Sequence, residues 1–272
     1  MKNFTSRMII NVIAIPLIIL MIRYGQWPLV IFVTLVSFLG QYEFYRLLRL
    51  KGIEPVTIMG IAAGLIWNLT VYFFPDLIGP VLMFCIATLA LTVLFLPVEG
   101  ATLRISTTFW GLIYIPVLFS TVVLLRQSQP EYHQGGRLVL LLFVTVWICD
   151  SLAFVFGKWL GRRKMAAHIS PHKTVAGCIA GLIGAVLTVW LFRWLDWAPA
   201  MLDWKELTIF GLLVGVFGQA GDFVESVFKR DAHVKDSGTL LMGHGGVLDR
   251  FDAFFIIAPV IYAYIRLLMA LS

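Results

Sequence analysis

The sequence predicts an all-α, polytopic integral membrane protein with about nine transmembrane helices, and three observations predict it. Of the 272 residues, 60% are hydrophobic and only 13% charged, with a mean hydropathy of +0.91. A soluble domain is nearer half apolar and roughly a quarter charged. The apolar residues fall in repeated stretches of about twenty, the length that crosses a bilayer as a helix. The Lys and Arg residues gather at one side of those stretches.

The expected spans are 8–23, 27–46, 55–75, 78–97, 107–125, 137–157, 174–195, 207–228 and 252–271. The first follows the basic start "MKNFTSR" with no clear small-residue cleavage site. It is therefore expected to remain a helix rather than to leave as a signal peptide. The first five spans hold almost no ionisable groups in their interiors, so residues 1–136 read as transmembrane scaffold and lipid contact. Residues 137–272 hold the last four spans and gather the polar residues, so the catalytic site is expected there, facing the cytoplasm.

With nine spans, the N-terminus and the even-numbered loops share a side. That side holds 15 of the Lys and Arg residues, among them Arg46, Arg49, Lys51, Arg104, Lys158, Arg162, Arg163 and Lys164. The other side holds 6, namely Arg23, Arg126, Arg137, Arg193, Lys205 and Arg266. The richer side is the cytoplasmic one, which places the chain as a multi-pass protein of the inner membrane. The net charge of +6 suits anionic headgroups. Cys85, Cys149 and Cys178 are scattered in apolar spans without ligand spacing, and read as small core residues.

Asp150 lies eight residues before Lys158, or about 12 Å below the surface at the helical rise. Asp222 lies seven before Lys229, at about 10 Å. Carboxylates at that depth need a cation or a wet cavity, and two at matching depth point to a shared one; a structural ion pair is the alternative. Asp222, Glu225, Ser226 and Lys229 line one helical face. In the sixth loop, Ser170 and Pro171 form a turn before Lys173 at a helix start, a place suited to phosphate. Arg162, Arg163 and Lys164 are equally explained as positive-inside residues.

The stretch "KDSGTLLMGHGGVLDRFD", Lys235 to Asp252, is out of keeping with so apolar a chain. Gly243, Gly245 and Gly246 flank His244 and allow a tight bend that presents N–H groups to an anion. Asp249 and Asp252 follow, three apart, close enough to share a cation. Hard carboxylate oxygens of this kind prefer Mg2+, which completes its shell with phosphate oxygens and water.

"SVFKRDAHVKDSGTLLMGHGGVLDRFD", Ser226 to Asp252, closely resembles the C-terminal motif of the phosphatidate cytidylyltransferases, also called CDP-diacylglycerol synthases. The pattern S-x-x-K-R-x4-K-D-x-G, then H-G-G-x-x-D-R-x-D, is met by Ser226, Lys229, Arg230, Lys235, Asp236, Gly238, His244, Gly245, Gly246, Asp249, Arg250 and Asp252. "GDFVES" and "DSLAFVFGKWLGRRK…SPHKT" resemble the family's other polar segments, so the likeness covers about 140–272. Three positions depart from the pattern: Met242 for Pro, Leu152 for Gly, and Ala176 for Glu or Gln. With these departures, the resemblance is to a divergent bacterial member.

The resemblance implies transfer of CMP from CTP to phosphatidate, with Mg2+ and beside it a second, monovalent cation such as K+. It implies Asp222 and Asp249 as principal metal ligands, with Asp252 and Asp150 supporting. Catalysis falls to Asp222, Asp249, Lys229 and Arg250. Substrate contacts fall to Ser170, Lys173, Ser226, Arg230, Lys235, Asp236, His244, Gly245 and Gly246, although His244 could equally hold the turn. The partners expected are CTP, phosphatidate and membrane lipid, without nucleic acid; a homodimer is left open. Two rivals stand beside this reading: a CTP-dependent enzyme for an ether or polyprenyl lipid phosphate, and an ion-coupled transporter using the buried acids.

Overall fold

The computed structural model describes residues 2–129, 131–238 and 245–271. Among them are eleven α-helices: α1 (Lys2–Tyr24), α2 (Gln26–Leu50), α3 (Thr57–Phe73), α4 (Ile78–Leu91), α5 (Ala101–Leu112), α6 (Thr121–Gln127), α7 (Tyr132–Leu160), α8 (Val175–Trp194), α9 (Trp204–Leu213), α10 (Gln219–Asp231) and α11 (Leu248–Leu271). Short π-helical turns join α5 towards α6 at Ile113–Val117 and α9 to α10 at Val214–Gly218. The all-α, membrane-spanning class expected from the sequence holds.

Nine long spans were expected, and seven of them are established among the described residues. Seven apolar helices among the described residues are long enough to cross a bilayer: Gln26–Leu50, Pro75–Phe95, Ala101–Gln127, His133–Leu160, Val175–Trp194, Trp204–Asp231 and Leu248–Leu271. Thr57–Phe73 is apolar but shorter, and the apolar stretch Ile13–Tyr24 is the later half of α1, a helix of 23 residues. At 1.5 Å per residue, Thr57–Phe73 covers about 25 Å, short of a hydrocarbon core of about 30 Å. The sixth loop also differs from a plain turn. It forms an antiparallel hairpin of β1 (Lys164–Ala166) and β2 (Ser170–Thr174), with Lys164 opposite Thr174.

The chain divides into two compact units, one of Met1–Leu124 with Phe228–Phe251, the other of Leu125–Val227 with Asp252–Ser272. Helices α6, α10 and α11 therefore contribute residues to both.

In the first unit, α2 carries a polar row through an otherwise apolar helix. Gln41 Nε2 donates to Tyr45 Oη and to the Gly60 carbonyl, both at 2.9 Å, and Tyr45 Oη donates to the Thr108 carbonyl at 2.8 Å. The Tyr45 ring fits only because Gly60 and Gly111 lack a Cβ where it lies. Phe228 packs edge-on against Phe44 and Tyr114, with ring centroids 5.4 and 5.3 Å apart, and so seats the end of α10 in this unit. Lys51 pairs with Asp231 just beyond it.

In the second unit, α7 and α8 pack through small residues, as membrane helices do when backbones must approach closely. A Cβ on Gly177 would strike the Ala153 carbonyl, and one on Gly181 would crowd the Cys149 carbonyl. Thr174 caps α8, its hydroxyl accepting from Gly177 N at 3.2 Å. Cys149 is buried and Cys178 half-buried, both free thiols in this packing.

Gly177→Ala should therefore lower stability by roughly 1–3 kcal/mol, the usual cost of overpacking, read as a lower unfolding temperature in detergent. Gly79→Ala, where no atom lies within contact distance of a new Cβ, should show no such loss.

Candidate active site

Four elements of the second unit converge on a set of carboxylates and one lysine. Helix α7 brings Asp150, β2 brings Lys173, α10 brings Asp222 and α11 brings Asp252. Lys173 Nζ lies 2.8 Å from Asp222 Oδ2, with each side chain about a quarter exposed. The same Nζ sits 4.2 Å above the Phe223 ring centroid, a cation–π contact that holds it in place. Asp150 feels the charges of both Asp222 and Lys173. Asp252 shares a hydrogen bond with Asp222 and feels Asp150 and Glu225.

Local structure explains the meeting of Asp222 with Asp252. Gly221 has no Cβ, and one there would overlap the backbone of Asp252 and Ala253. Helix α10 thus approaches α11 closely, one residue before Asp222. Two carboxyl groups at hydrogen-bonding range repel one another unless they share a proton or a cation. Among the described residues, no group of three or more His, Cys, Asp or Glu is arranged to hold a metal ion. Mg2+ commonly takes one or two carboxylates and leaves the rest of its shell to phosphate and water, so the Asp222–Asp252 pair fits that ion.

A cavity of about 650 Å3 opens beside this cluster, lined among others by Asp150, Lys158, Lys164, His172, Lys173 and Asp222. Its size suits a small-molecule or headgroup ligand. His172 was not singled out from the sequence, and Lys158 and Lys164 were read there as positive-inside residues, because cations near a membrane surface look alike until the fold places some of them at a cavity. Gln219 also lines the cavity, and its Nε2 donates to the Gly215 and Cys178 carbonyls at 2.7 and 3.1 Å. Ser170 is half-buried in β2, and Ser226 half-buried in α10.

The first unit holds the other motif residues. Lys229 Nζ lies 2.6 Å from Asp249 Oδ1, both side chains almost buried. Asp249 Oδ2 accepts from Ser237 N, Ser237 Oγ and Gly246 N at 2.9, 3.0 and 2.7 Å. The N–H of Gly246 is therefore turned to Asp249. Gly245 has φ +81°, in the left-handed region that favours glycine. Arg230, Lys235, Asp236 and Arg250 are exposed, and Arg230 Nη1 donates locally to the Val234 carbonyl at 3.0 Å. His244 and Met242 lie outside the described residues.

One residue of this unit escaped the sequence reading. Glu43, buried in α2 at 1% exposure, accepts from Ser237 Oγ, Val247 N and Leu248 N at 3.0, 3.1 and 2.8 Å. The signal available was a single acid in an apolar span, whose partners lie about 200 residues away in sequence.

A model of the cytidylyltransferase family matches residues 5–268. A protein of Synechocystis sp. called phosphatidate cytidylyltransferase is 34% identical, with 97% of each chain covered. One of the same name from Bacillus subtilis is 32% identical over 98% of this chain and 99% of its own. A protein of Escherichia coli called YnbB is 31% identical over 89% of this chain and 80% of its own.

Lys173 is paired with Asp222, so its loss leaves that carboxylate without its counter-charge. Lys173→Met should destabilise the protein by on the order of 1–3 kcal/mol, below the figure for a wholly buried pair because both partners keep some solvent. The double variant Lys173→Met, Asp222→Leu should unfold at a higher temperature than the single variant. A double variant less stable than Lys173→Met would contradict this account.

Proposed function

This chain belongs to the cytidylyltransferase family, and from that premise we propose that it transfers CMP from CTP to phosphatidate, giving CDP-diacylglycerol and pyrophosphate for phospholipid synthesis. One observation carries the geometric side of the reading. Carboxylates and cations meet at a cavity of about 650 Å3 set among apolar helices, where an anionic lipid headgroup needs them.

The chemistry asks for charge neutralisation more than for a base. Phosphatidate is a phosphomonoester whose second ionisation falls near pH 6, as for a phosphorylated side chain, so it arrives as an anionic nucleophile. One of its oxygens bonds to the α-phosphorus of CTP as the bond from that phosphorus to the β-bridging oxygen breaks. Pyrophosphate leaves with the electron pair, and the obstacle is the approach of two anions. In this reading Lys158, Lys164, His172 and Lys173 draw a phosphate into the cavity of the second unit. Lys229, Arg230, Lys235 and Arg250 are the phosphate-holding residues of the motif, with Ser170, Ser226, Asp236, His244 and Gly245 as further substrate contacts. Gly246 acts indirectly, through the N–H it gives to Asp249.

Asp222 and Asp252, with Asp150 beside them, are the residues we assign to Mg2+. Bound there, the ion would neutralise phosphate oxygens as charge builds on pyrophosphate. Asp249 is carried as a ligand by the motif alone, and a second, monovalent cation such as K+ belongs to the same reading. We place the site at the cytoplasmic face of the inner membrane, where CTP is available, on the strength of the charge bias.

Purified protein incubated with labelled CTP, Mg2+ and a panel of lipid phosphates tests the reaction and its acceptor together. Label should enter a lipid product with phosphatidate. Label entering only an ether or polyprenyl phosphate would move the acceptor, and no lipid product would remove the reading. Asp222→Asn and Asp249→Asn, tested separately, should each cut turnover by more than tenfold, about 1.4 kcal/mol of barrier; a smaller loss would be too little for a lost metal ligand. Light scattering of the active protein tests the homodimer.

Orientation has its own experiment. Ala167 is exposed in the turn between β1 and β2. In a background with the three native cysteines replaced, Ala167→Cys should react with an impermeant thiol reagent only after cells are opened. Labelling of intact cells would overturn the orientation.

A further inference from the structure

We propose that Glu43, in the apolar first part of the chain, is a positioning residue for the glycine-rich motif and acts on CTP use through Asp249. The inference rests on the reading of that motif as the CTP-handling segment. Glu43 is the only acid in α2 and is 1% exposed. A carboxylate so placed is costly unless donors surround it. Oε1 accepts from Val247 N, and Oε2 from Leu248 N and Ser237 Oγ.

These partners are not scattered. Val247 and Leu248 stand at the start of α11, where backbone N–H groups have no partner within the helix. Ser237 stands ahead of the glycine-rich segment, and Val247 directly after it. Glu43 thus ties down both ends of the segment 238–246 from a third helix. The Ser237 hydroxyl lies 3.0 Å from Glu43 Oε2 and 3.0 Å from Asp249 Oδ2. It has one hydrogen to give, so the two carboxylates are coupled through it.

The motif glycines carry the imprint of this contact. A Cβ on Gly238 would overlap the Glu43 carboxyl group, and one on Gly246 would overlap both Glu43 and Ser237. Two of the fixed glycines in the family pattern are therefore required by the approach of Glu43, whatever else the bend does. Asp249 follows Leu248 directly, so loss of Glu43 frees the backbone that aims the Asp249–Lys229 pair.

A merely structural acid and a positioning residue differ in what Glu43→Gln does. The variant keeps the volume, but one of its oxygens becomes an NH2 facing donors. We expect KM for CTP to rise about tenfold or more, KM for phosphatidate to stay within about twofold, and amide exchange at Val247–Arg250 to accelerate at least tenfold. Exchange in α7 and α8 should stay as in the wild type. Parallel rises in both KM values, or unchanged exchange at Val247–Arg250, would overturn the proposal. Ser237→Ala, which leaves Glu43 its two backbone donors, serves if Glu43→Gln does not fold. It should raise KM for CTP about threefold, and an unchanged value would equally overturn the proposal. A wild-type protein that made no lipid product from CTP would sink the functional reading instead, while the exchange arm would still judge Glu43.

Discussion

The hydrogen bonds that Val247 and Leu248 give to Glu43 settle where the polar motif lies within its unit, and much else there follows from them. An ionised carboxylate among apolar helices must find donors, because hydrocarbon offers none. Glu43 finds them at the start of α11, where N–H groups are in need of acceptors. The two deficits cancel, and the backbone must come close enough for them to do so. That closeness excludes side chains at Gly238 and Gly246. It also brings Ser237 within reach of Asp249, which then holds Lys229. A single acid on α2 thereby organises residues nearly two hundred positions away.

The second unit meets the same requirement differently, and the contrast bears on which acids would suit a metal. Glu43 and Asp249 are supplied mainly by hydrogen-bond donors, with Lys229 on Asp249. Asp150 and Asp222 lie near Lys173, which pairs with Asp222, and Asp252 lies against Asp222. Three acids to one lysine is a cluster with room for more positive charge. It sits beside a cavity lined by Lys158, Lys164 and His172. A dication with its own phosphate ligands suits the second arrangement better than the first. Asp249, so fully used by its own loop, is the acid for which metal binding and loop-holding have to be separated by experiment.

Much of this was legible in the sequence because the strongest signals there are local. Apolar runs of about twenty residues name the spans, and their polar interruptions at Asp150 and Asp222 name the acids. Lys229, Asp249 and Asp252 lie in one contiguous motif. What was not legible depends on distance or on small energies. Glu43 is one acid in an apolar run, and only the fold says that it meets Ser237 and α11. The pairing of Lys173 with Asp222 joins two expected residues that spacing could not join. The hairpin of β1 and β2 has strands of three and five residues, too short for alternation to register. Span length failed at Thr57–Phe73, where the last expected residues leave the helix before Pro75.

Leu152 and Ala176 show why departures from the family pattern need not touch the chemistry. Leu152 stands where the pattern has Gly, on a face of α7 that packs against α8. The space a Cβ on Gly184 would need is filled by the Leu152 side chain. The extra volume on α7 is thus received by a residue without a side chain on α8, and close packing is kept. Asp150 lies two residues away, about 200° around the helix, and so faces elsewhere. Ala176 is half-buried in the first turn of α8, where the cap is made by the Thr174 hydroxyl and the Gly177 N–H. That cap asks nothing of the side chain at 176. Both changes fall on packing or helix-start positions whose requirements are met by neighbours, leaving Lys173, Asp222 and Asp252 in their contacts.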